Sequence, residues 1–119
     1  MPVRHADNVP ADTVAAGEGT TYQELIGAGE APNFAMRRFT MQPGGGIPPH
    51  TNAVEHEQYV LRGRATIGIG DETIEIERDD VIYIPAGVRH WYRVDGDEPF
   101  MFICVVPNQP DKIELVENT

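Results

Sequence analysis

The chain has 119 residues, room for one hydrophobic core but not for two. Hydrophobic residues make up 40% and charged residues 24%, while 12 glycines and 10 prolines lie scattered between short apolar runs, a pattern that opposes a helical bundle. A net charge of −10, from 19 acidic against 9 basic residues, repels nucleic-acid backbones and anionic membrane surfaces, so neither is an expected partner.

Residues 1–19 are polar and rich in Ala, Asp and Gly. They predict a loose N-terminal arm with at most one short strand, followed by a single β domain over 20–119. The start, MPVRHADNVPADTVAAGEGT, has no apolar core of a secretory signal, and no apolar run nears the length of a membrane helix. A cytoplasmic protein is the expectation.

From residue 20 a strand rhythm begins. Residues 20–26 predict a first strand and 34–41 a second, which the run Pro43-Gly44-Gly45-Gly46 should break. Strands then follow at 47–52, 56–61 and 64–69. Gly70-Asp71-Glu72 suits a hairpin turn into 73–77. Residues 81–84 (VIYI) stop at the turn Pro85-Ala86-Gly87, and strands at 90–94 and 100–106 come next. Residues 111–117 predict an edge strand. Strands this frequent, with turns this closely spaced, predict an all-β sandwich or barrel, of which the jelly roll is one form.

Three of the four histidines, His50, His56 and His90, fall inside or beside strands next to Gly/Pro turns. Alternate residues of a strand share a face. His50 therefore points with Asn52, His56 with Gln58, and His90 with Tyr92. Three imidazoles at strand ends can converge in a barrel mouth, a common place for a ligand site. Glu55 and Glu57 should point away from His56, so parity leaves the inner site without an acid. Phe100, Phe102 and Cys104 share one face, as core and as a pocket wall around Phe102 and Cys104. Cys104, with apolar neighbours, reads as a buried and inert thiol. Trp91, Tyr59 and Leu61 have the opposite parity and predict an outer apolar patch suited to a homodimer.

The stretch from Pro43-Gly-Gly-Gly-Ile-Pro-Pro-His50 through Asn52 and His56 to Gly63 resembles the first motif of the cupin superfamily. Asp79-Asp-Val-Ile-Tyr-Ile-Pro85-Ala-Gly87-Val-Arg-His90 resembles the second, with Asp79 where a glycine is usual. The resemblance implies a single cupin jelly-roll barrel and leaves the reaction open. Ala31-Pro32-Asn33-Phe34, Met36-Arg37, Phe39-Thr40 and Glu55-His56-Glu57 are similar to small bacterial and archaeal cupins that bind manganese through four histidines. On that likeness His50, His56 and His90 are metal ligands, and Asn52 stands where the fourth histidine is expected. Arg37 matches a pocket arginine that could orient a carboxylate, and reads equally as a surface arginine paired with an acid.

Neutral imidazoles suit a divalent transition metal. Manganese or iron is favoured by an Asn oxygen, with zinc, nickel or copper also compatible. A neutral ligand set leaves the ion its full charge, which favours small-molecule substrates with anionic or enolisable oxygen. Gln58, Tyr92 and Arg37 are the candidate catalytic residues. The expected activity is an oxidoreductase of the dioxygenase type. The alternatives are a non-redox sugar or sugar-acid isomerase or ring-opening enzyme, a non-catalytic ligand-binding barrel, and a metal-free relic.

Overall fold

The computed structural model describes residues 2–116. Among these there is one 3-10 turn, Ala6–Asn8, and no α-helix. Ten strands follow in chain order: β1 (Asp12–Thr13), β2 (Glu18–Ile26), β3 (Phe34–Thr51), β4 (His56–Arg62), β5 (Arg64–Ile69), β6 (Glu72–Glu77), β7 (Val81–Ile84), β8 (His90–Asp95), β9 (Phe100–Pro107) and β10 (Glu114–Leu115). All belong to one curled antiparallel sheet in the order β6-β5-β8-β3-β9-β4-β7, with β2 and β10 also on β3 and β1 on β2. This is the all-β jelly-roll class that the sequence predicts.

The strands at 64–69 and 81–84 have the predicted bounds, and the others differ by one or two residues at their ends. The predicted edge strand is reduced to β10, and its last residue, Glu117, lies outside the described residues. One prediction fails outright. Residues 34–41 and 47–52 are not two strands, because β3 runs unbroken from Phe34 to Thr51 through the Gly-rich run. Its first half pairs with β2 and β9, and its second half with β8. The glycines bend the strand between these partners rather than ending it. A side chain at Gly46 would collide with the Tyr92 carbonyl, so only glycine permits the approach of β3 to β8.

The inward faces follow the period of two. On β9, Phe100, Phe102, Cys104 and Val106 are buried, and the residues between them are only partly so. Aromatic rings stack across the interior from Tyr22 to Phe39, Phe102 and Tyr92, with Phe39–Phe102 centroids 5.1 Å apart and Phe102–Tyr92 centroids 5.4 Å apart. Met41, Val60, Ile67 and Phe100 fill the space beyond with almost no exposure. Beside this core, the buried polar residues His50, Asn52, His56, Gln58 and His90 line one cavity.

The N-terminal arm lies along the sheet. Gln23 donates from Nε2 to the carbonyls of Ala6 and Val9, Arg38 pairs with Asp7 at 3.0 Å, and Arg4 pairs with Glu30 at 2.6 Å. Asp79 takes φ 73°, the only positive φ outside glycine among the described residues. That left-handed turn explains why glycine would be usual there.

Candidate functional site

Register brings the histidines together. His50 of β3 lies opposite His90 of β8, with ring centroids 4.1 Å apart. His56, at the start of β4, has its ring 6.0 Å from that of His90. Asn52 follows the end of β3, and its backbone carbonyl accepts from Gly87 N–H in the Pro-x-Gly turn. All four residues are buried and line one cavity of about 40 Å³. Arg37, Phe39, Gln58, Tyr92 and Phe102 line it too, as do Val14, Ala16 and Ile113 from the N- and C-terminal segments.

Hydrogen bonds fix which atoms face the cavity. Nδ1 of His50 lies 2.8 Å from the Pro48 carbonyl, and Nδ1 of His90 lies 3.0 Å from the Val88 carbonyl. A carbonyl only accepts, so both Nδ1 atoms carry the proton and both Nε2 atoms keep a lone pair. Nδ1 of His56 lies 3.3 Å from Cys104 Sγ, and its Nε2 is buried without a partner. Asn52 donates from Nδ2 to Asp111 Oδ2 at 3.1 Å, which leaves its Oδ1 buried and without a partner.

Burial keeps the imidazoles neutral. Desolvation, reinforced by the Arg37 cation, pushes His56 down to about 3. Desolvation, with His50 beside it, pushes His90 down to about 4. His50 is lowered by burial as well, against the pull of its bond to Pro48. Neutral imidazole is the form that ligates a metal or accepts a proton.

Behind the histidines runs a cross-strand row. Arg37, Cys104 and Gln58 are register partners on β3, β9 and β4. Arg37 and Gln58 both donate toward Cys104 Sγ, at 3.6 and 3.7 Å. The Arg37 guanidinium lies 5.1 Å from the Phe39 ring centroid, and its Nε is buried without a hydrogen-bond partner. Gln58 Nε2 lies 2.7 Å from the Tyr92 hydroxyl, and burial raises the Tyr92 phenol well above its usual range. Tyr92 is therefore a proton donor at neutral pH rather than a base. Burial also raises the Cys104 thiol.

Phe102 lines the cavity as the parity reading expected, whereas Cys104 sits behind His56 and does not reach it. Glu55 and Glu57 do face outward. Strand parity missed Asp111, which arrives from the segment after β9 and adds a carboxylate beside Asn52. Its sequence signal, one acid in a polar tail, does not distinguish it from many others. The expected outer patch is divided. Tyr59 flanks a groove with Val81, Tyr83, Ile103 and Val105, while Trp91 packs over Gly68 and next to Arg93. Tyr59 on β4 and Trp91 on β8 are separated by β3 and β9.

The donors suit a divalent ion in kind. Three imidazoles and one amide border the same cavity, and His56 Nε2 and Asn52 Oδ1 are buried with nothing to bond. Among the described residues, however, no group of three or more His, Cys, Asp or Glu side chains already stands in a metal-holding cluster.

A β-barrel with histidines on β3, β4 and β8 around a buried cavity defines a class, and the comparisons name it. The cupin domain model matches residues 37–106, so the chain belongs to the cupin family. The polyketide cyclase RemF of Streptomyces resistomycificus superposes with a TM-score of 0.90 at 30% identity, covering 100% of this chain and 87% of that one. An acireductone dioxygenase of Synechococcus is 30% identical over 93 residues, 75% of this chain. A 1-methylthio-D-xylulose 5-phosphate methylsulfurylase of Rhodospirillum rubrum is 26% identical over 93 residues, 78% of this chain. The chain spans only 47% of the dioxygenase and 60% of the methylsulfurylase.

Proposed function

We propose that this cupin is a metal-dependent enzyme that acts on a small substrate with an enolisable or anionic oxygen. The carrying observation is the pair of buried, unpartnered polar atoms, His56 Nε2 and Asn52 Oδ1, beside the cavity that also receives His50 and His90. Burying such atoms without a partner is costly, and a cation answers both at once. His50, Asn52, His56 and His90 would hold the ion. When bound, it would supply Lewis-acid stabilisation of an enolate or carboxylate oxygen.

The chain's own residues complete the site. Arg37 Nε–H, buried and unpartnered, can donate to an anionic oxygen of the substrate. Tyr92, kept protonated by burial and donating to Gln58 Oε1 at 3.0 Å, can turn its O–H to an enolate oxygen as a hydrogen-bond donor. Phe39, Ile47 and Phe102 give the cavity its apolar walls. A cavity of about 40 Å³ has room for an ion and little more, so a substrate needs space beyond it.

The full-length likeness to a polyketide cyclase favours non-redox enolisation and ring closure of a ketone substrate. The likeness to an acireductone dioxygenase favours the second reading, oxygen insertion into an enolised substrate. Assays of 1,3-diketones and reductones with the manganese-, iron- or zinc-loaded chain, in an oxygen electrode, separate the two. Turnover that persists with zinc and without oxygen uptake supports the first. Turnover that requires oxygen supports the second. No exchange of the substrate's acidic C–H and no turnover with any metal contradicts both.

A further inference from the structure

Asp111 lies on a coil segment 59 residues beyond Asn52, yet both of its carboxylate oxygens are committed to the Asn52 turn. Oδ2 accepts from Asn52 Nδ2 at 3.1 Å. Oδ1 accepts from the backbone N–H of Ala53 at 2.8 Å and from that of Lys112 at 2.8 Å. Asp111 does not line the cavity.

An amide has a donor end and an acceptor end, and an ionised carboxylate accepts only. Asp111 therefore dictates how Asn52 points. The NH2 must face the tail, and the carbonyl oxygen must face the cavity. Without Asp111 the amide could turn its NH2 inward, and an NH2 repels a cation. The Ala53 contact pins the backbone of the same turn, and Gly87 N–H holds it from the other side. Ile113, two residues on, lines the cavity, and β10 then pairs with β3 at His50 and Thr51.

We infer that Asp111 is a positioning residue: it orients Asn52 so that its carbonyl oxygen serves the cavity as a ligand. This rests on the metal-dependent reading for the nature of the ligand, but the orientation of the amide stands without it.

Cobalt(II) titration of the full chain, followed by visible absorption, tests the inference with Asp111→Asn, Asp111→Ala, Asn52→Ala and the Asn52→Ala/Asp111→Ala double variant. Asp111 is exposed, so the variants should fold, and circular dichroism checks this. Loss of a residue that orients a ligand costs about 10- to 100-fold in metal affinity. Asp111→Ala should show that loss in the wild-type background and none in the Asn52→Ala background, since it acts through Asn52. Equal losses in both backgrounds, or no loss in either, would overturn the inference.

A second readout needs no metal. The side-chain NH2 resonances of Asn52 in the metal-free chain should be shifted and slow to exchange, and Asp111→Ala should return them to values of a free amide. If the wild-type chain binds no cobalt, the metal reading fails while this measurement still decides the orientation. Asn52 resonances unchanged in Asp111→Ala would refute it.

Discussion

His56 is held differently from its two fellow histidines. His50 and His90 present their Nδ1 protons to backbone carbonyls, which no side-chain substitution removes. His56 presents Nδ1 to Cys104 Sγ, a weak partner that Arg37 and Gln58 also approach. Cys104→Ala should release the His56 ring and weaken metal binding by about tenfold, as loss of a ligand's hydrogen-bond partner does. Cys104→Ser should restore most of it, and calorimetric titration with manganese(II) measures both. Equal affinity in Cys104→Ala and wild type would show that the thiol does not orient the ring. Asn52→His offers the complementary change. An imidazole in place of the amide should tighten binding, and weaker binding would place Asn52 outside the ligand set.

At the scale of the strand, β3 carries the site because it serves two sets of neighbours. Its first half places Arg37 beside Cys104, and its second half places His50 beside His90. Gly46 sits at the change of partner. Gly46→Ala should cost more than about 1 kcal/mol, since a methyl there meets the Tyr92 carbonyl, and urea denaturation would read it. Phe102→Ala removes the middle of the aromatic stack and should cost about 3–5 kcal/mol, with a shift in the denaturation midpoint and little in its slope. A midpoint within experimental scatter of wild type would contradict the packing account. Much of this was legible beforehand. The turn at Pro85-Ala86-Gly87 bounded VIYI, and parity paired His50 with Asn52 and His90 with Tyr92, which line one cavity. The Gly-rich run misled because local propensity reports what a glycine permits, not whether two partner strands hold it extended. Asp111 was invisible for a related reason: parity governs residues within a strand, and this contact is made by coil across a long separation in sequence.

For the molecule as a whole, charge and burial pull in different directions. The chain is strongly acidic, yet its buried end contains neutral imidazoles and an arginine. In the metal-free chain His56 and His90 are pushed down to about 3 and about 4 from 6.5. Well above pH 6.5 they are neutral folded or unfolded and contribute nothing to pH dependence. Below it the unfolded chain binds protons that the folded chain refuses, so stability falls as pH drops toward 4. Thermal denaturation in a chelator should show this fall, and His90→Gln should flatten it. Equal slopes for the two proteins would contradict the burial account.

The proposal that the histidine-lined cavity holds a metal is open to elemental analysis of the chain without a histidine tag, after incubation with manganese(II) and gel filtration. Stoichiometric manganese is expected in the wild type, with loss of it in His50→Ala, His56→Ala and His90→Ala. A wild-type chain that retains no metal, or three variants that retain as much as the wild type, would contradict it.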